Sequence, residues 1–93
     1  MKQKTVFVVT HDGRYDAPPH LDIIGVYDVV GVYNDQQEAH RAMVRTAKRF
    51  FRVAGYKAED HTLYASSDSA DIMDNFTHRS VHHYEVVTRK MKA

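Results

Sequence analysis

The sequence predicts an α+β domain: a mainly antiparallel sheet of three to five strands with one long helix packed on one face. Three observations carry this. Runs of β-branched and aromatic residues recur at Val6–Val9, Ile23–Asn34 and Tyr84–Val87, the composition of pleated, half-buried strands. Between the second run and the third, Ala39, Met43, Ala47, Phe50 and Ala54 recur at four- and three-residue steps, the apolar stripe of an amphipathic helix. Finally, 93 residues with a 43% apolar share suit a single domain, 1–93, with one modest core.

Lys2 and Lys4 precede only the short apolar run Val6–Val9, too short for a signal-peptide core, and no stretch has the length of a membrane span. With no cysteine, a disulfide framework, a thiolate zinc site and a thiol nucleophile are excluded. The expected location is cytoplasmic. A net charge of +1 gives no global pull toward nucleic acid, so any such claim needs a local patch.

Thr5–Thr10 reads as a strand covered on both faces. His11-Asp12-Gly13 and Asp16-Ala17-Pro18-Pro19 have turn and loop chemistry. Ile23–Asn34 then states one phrase twice, Ile-Ile-Gly-Val-Tyr-Asp and Val-Val-Gly-Val-Tyr-Asn. Unbroken, it would span about 40 Å, more than the roughly 30–35 Å diameter of a domain this size. Alternation also places Asp28 among Ile24, Val26, Val30 and Val32. A bent strand with a bulge near Asp28, eased by Gly25 and Gly31, answers both problems. A hairpin at Tyr27-Asp28 is the alternative.

Asp35 and Glu38 form a capping box and Gly55 supplies the stop, which sets the helix at about 36–54. Thr62–Ala65 reads as a third strand. Ser66–Arg79 is expected to contain one or two helical turns, capped by Ser67 or Asp68, with Ile72, Met73 and Phe76 tucked inward. Val81–Thr88 is the last strand and Arg89–Lys92 a frayed basic tail.

Three constellations bear on function. Arg41, Arg45, Lys48, Arg49 and Arg52 fall within roughly a 100° arc of the helix, opposite its apolar stripe. Such a row can track phosphates or meet an acidic protein surface, although a helix's outer face is often charged for solvation alone. Tyr27, Val30, Val32 and Tyr33 mark the long strand as a candidate interface, through which two copies could pair as a homodimer. His78, His82, His83 and Glu85 offer ligand-type spacings for a metal, against the plainer reading of surface histidines. No nucleophile elbow, phosphate-cradling loop, RNP-like motif or zinc-finger spacing is present.

At Gly31-Val32-Tyr33-Asn34-Asp35-Gln36-Gln37-Glu38-Ala39 the chain resembles small uncharacterised phage and bacterial proteins. In these a strand ending Gly-Val-Tyr or Gly-Val-Phe meets a capped helix opening Glu-Ala. The Val6–Val9 and Tyr84–Val87 strands fit the same outline, over about a third of the chain. The resemblance implies a compact α+β domain of phage or mobile-element origin and carries over no catalytic residue. The duplicated phrase and the long Ser66–Arg79 stretch depart from it.

The expected function is that of a small non-enzymatic binding or modulator module acting through protein–protein contact, without a cofactor. A nucleic-acid-binding accessory protein using the basic ridge is the first alternative. A metal-binding domain or metal-dependent enzyme around His78–Glu85 is the second.

Overall fold

The computed structural model describes residues 3–14 and 25–92. They form β1 (Gln3–Arg14), β2 (Gly25–Tyr33), α1 (Gln36–Val53), β3 (His61–Ala65), β4 (Ser69–Asp74) and β5 (Ser80–Lys92). The five strands make one sheet in the order β2-β1-β5-β4-β3, antiparallel at every pairing. α1 carries the chain from the β2 edge to the β3 edge across one face. No helix among the described residues is long and apolar enough to cross a membrane.

Alternation decides what the helix covers. Val9 on β1, Tyr84 on β5 and Ala70 on β4 join Ala39, Met43 and Ala47 of α1 in the core, with Phe7, Val30, Leu63 and Val86 packed around them. The alanines keep the helix close to the sheet, and Met43, fully buried, fills the gap between them.

Both helix ends follow from local chemistry. Gln37 donates its backbone N–H to Asp35 Oδ1 at 2.8 Å, the expected N-cap. At the other end Gly55 takes φ 81°, a left-handed conformation that favours glycine. Gly55 N–H donates to the Arg52 carbonyl and Tyr56 N–H to the Phe51 carbonyl, a Schellman closure. The Phe51 and Tyr56 rings meet at 5.7 Å, the apolar contact that accompanies this closure, and it fixes where Tyr56 points.

The long phrase forms a single strand, Gly25–Tyr33, not a hairpin. Ile23, Ile24 and the 16–19 loop lie outside the described residues. The bulge falls two residues beyond Asp28: Val9 pairs with Gly31 and Thr10 with Val29, leaving Val30 as the extra residue. Tyr33 folds back over Gly31, so that a Cβ there would stand 2.7 Å from its hydroxyl.

Four expectations are corrected. His11–Gly13 is strand, because β1 pairs β5 without interruption from Gln3 to Gly13; ladder hydrogen bonds override the turn propensity of Asp and Gly. The same pairing orders Arg89–Lys92, so the anticipated frayed tail belongs to β5. Ser66–Arg79 contains no helical turn among the assigned elements; its centre is β4, with Ala70 and Ile72 buried, whereas Phe76, expected to tuck inward, is exposed in the turn after it. The size argument against long strands also fails, since the molecule extends 50 Å along its long axis.

Candidate functional site

α1 turns its buried stripe to the sheet and leaves Arg41, Arg45, Lys48, Arg49 and Arg52 exposed to solvent. From Arg41 to Arg52 the row runs about 16 Å along the axis. The five cations, with His40 and Val44, line a shallow trough of about 710 Å³. His40 donates from Nδ1 to the Ser67 carbonyl at 2.8 Å, tying the β3–β4 turn to the flank of this face.

Among the described residues, none of the five cations is in an ion pair, whereas His83 pairs with Asp71 on the sheet. Arg41–Arg45, Arg45–Arg49 and Lys48–Arg52 are like-charge pairs one turn apart, each disfavoured by about 0.2–0.5 kcal/mol. Glu38, three residues before Arg41, offsets one of these repulsions, so the row costs the free helix up to about 1 kcal/mol. Closely spaced cations above an apolar core also sum their field, which draws anions toward the trough.

A second polar cluster lies beneath the C-terminal end of α1. His11 continues the inward parity of Phe7 and Val9, and His82 that of Tyr84 and Val86. Their facing nitrogens, His11 Nε2 and His82 Nδ1, share one N–H···N bond at 2.9 Å. His82 Nε2 is hydrogen-bonded to the Tyr56 hydroxyl at 3.1 Å, where the helix closure has placed it. Phe50 packs on His11 and His82, Tyr84 stacks on His11 at 4.4 Å, and Tyr56 lies against His61 at 4.3 Å. His61 Nδ1 is buried without a hydrogen-bond partner.

Burial, aided by the His11 and His61 imidazoles, pushes His82 down to about 4. Burial also lowers His11, with Asp28 and Asp12 pulling the other way. Tyr84 is pushed up to about 12, by burial and then by Tyr56. Burial thus favours the neutral forms of His82, His11 and Tyr84 between the helix end and the sheet.

The four candidate metal ligands are not brought together. His82 faces the helix, His83 and Glu85 occupy alternate outward positions of β5, and His78 sits in the β4–β5 turn with φ 57°. His83 Nδ1 instead donates to Asp71 Oδ1 at 2.7 Å, and Ser80 Oγ donates to the same oxygen at 2.8 Å. Among the described residues no group of three or more His, Asp or Glu could hold a metal ion.

The strand candidates divide. Val30 and Tyr33 pack toward the core, Val32 is exposed, and Tyr27 is placed by its backbone alone, opposite Asp12. Sequence reasoning missed the inward roles of His11, His61 and Tyr56. The Phe7–Val9–His11 alternation was the available signal for the first.

No family model, curated protein or solved structure matches the chain.

Proposed function

We propose that the protein is a small non-enzymatic binding module, working in the cytoplasm and of phage or mobile-element origin, whose contact surface is the cationic face of α1. Its partner is a protein with an acidic surface. The observation that carries this reading is the row itself: five exposed cations on one helix face, with no ion pair among the described residues, held at a cost to helix stability. Salt bridges to a partner would relieve that cost and fix orientation. Protein is favoured over nucleic acid because Val44 and the aliphatic stems of the cations line the trough, while no Phe, Tyr or Trp among the described residues lines it for base stacking and the His40 ring is tied to the Ser67 carbonyl. A second copy pairing along β2 is the other reading with an observation behind it, since β2 lies at the sheet edge with Val29 and Val32 exposed.

One capture experiment separates these occupants. Tagged native chain and tagged Arg45→Glu/Arg49→Glu chain are exposed in parallel to host extract containing untagged copies. Retention of an acidic protein by the native chain, and its loss from the reversed one, is the expected result. Retention that nuclease removes would assign the row to nucleic acid. Retention of the untagged copy by both baits, and of nothing else, would assign function to the β2 edge.

A further inference from the structure

Beside the cation row, α1 carries a second feature at the spacing i, i+3, i+4, i+7. Thr46, Arg49, Phe50 and Val53 line a hollow of about 230 Å³. Phe50 is half-buried on the histidine cluster, whereas Val53 is 73% exposed. Exposure of that kind on a last helical turn is unremarkable for one valine. Here, however, the valine borders a recess with an aromatic wall, and Arg49 lines both this recess and the cationic trough. The guanidinium is thus the shared rim between the cation-lined trough and a side-chain-sized apolar hollow.

We infer that the occupant of this face is an acidic peptide segment with one apolar side chain, which seats in the Thr46–Arg49–Phe50–Val53 hollow while its carboxylates pair with Arg45, Arg49 and Arg52. The inference rests on the reading of α1 as a protein-contact face and adds its specificity. Charge complementarity selects the acidic segment. The hollow selects among acidic segments, because carboxylates alone leave it filled with water, and desolvating an apolar anchor supplies a contact that salt does not screen. Arginine suits the boundary, since its plane stacks on an apolar ring while its edge binds a carboxylate.

The test uses the full chain and two labelled peptides of Glu and Asp, each about twelve residues long so that a helical form matches the length of the row. One carries a single central Phe, the other Ser in its place, and an oligothymidylate of similar charge is the third probe. The Phe peptide should bind about tenfold more tightly than its Ser twin. That preference should vanish in Val53→Ser and in Thr46→Gln, the first opening the hollow and the second filling it. Both peptides should be lost on Arg45→Glu/Arg49→Glu. Equal binding of the two peptides, or a Phe preference that survives both hollow variants, overturns the inference and leaves the contact face standing. No binding of either peptide, or tighter binding of the oligonucleotide, overturns both. Circular dichroism of each variant confirms that the fold is retained, and the two hollow variants lie at exposed or half-exposed positions that tolerate exchange.

Discussion

Lowering the pH through the range 6.5 to about 4 is expected to remove about 3 kcal/mol of folding stability through His82 alone. The sign follows from where the proton goes. The unfolded histidine titrates near 6.5 and the folded one near 4, so between those values the unfolded chain binds a proton that the native chain refuses. Stability is therefore complete above the unfolded value, falls as the pH drops, and falls no further from this source once the folded value is passed. Burial explains the refusal: His82 is almost fully buried, and the His11 and His61 imidazoles beside it add to the cost of a charge there.

Asp74 does not confuse the window. The backbone N–H groups of Phe76 and Thr77 hold its carboxyl below the usual range, so its contribution survives to more acid conditions. The check is denaturant unfolding at about pH 7 and about pH 4 for the native chain and His82→Phe. The variant should lose about 1–3 kcal/mol at neutral pH, through the broken bond to His11, and show a flattened pH slope. An unchanged slope in the variant would assign the acid sensitivity elsewhere.

Met43→Ala should cost about 2–5 kcal/mol and lower the melting temperature by at least about 10 °C. Met43 is fully buried between Ala39 and Ala47, against Val9, Ala70 and Tyr84. Its neighbours on the helix are too small to close the space, so truncation leaves a cavity rather than a collapse. Met43→Leu keeps the volume and should cost less than about 1.5 kcal/mol. For a domain whose total stability is of the order of 5–15 kcal/mol, the alanine change is severe. A native-like melting curve for Met43→Ala would mean that the helix is not seated through this side chain.

What the chain discloses before folding divides along physical lines. α1 is legible because its signals are local: a capping aspartate, an apolar stripe of period 3.6, and a glycine whose left-handed turn ends the helix. The outward direction of the five cations follows from the same period. β1 and β5 are longer than the sequence suggests, because their ends are held by each other rather than by local propensity. At Ser69–Asp74 the three-residue spacing of Asp68, Asp71 and Asp74 mimics a helix start. Pairing on both sides, to β3 and β5, imposes the strand, and the inward pair Ala70 and Ile72 was its only trace. The His11–His82–Tyr56 joint joins three positions remote in sequence. It depends on strand register and on the Schellman closure together, and neither is written in any one stretch.

The outer face of α1 is the proposed place of contact. The most direct measurement is amide and arginine side-chain NMR of the labelled chain, titrated with the acidic protein that native bait retains. Shifts should gather on Arg41, Arg45, Lys48, Arg49 and Arg52 and on Thr46 and Val53 beside them. Shifts gathered instead on β2 around Val29 and Val32, or on the far face around His83, with the helix undisturbed, would contradict it.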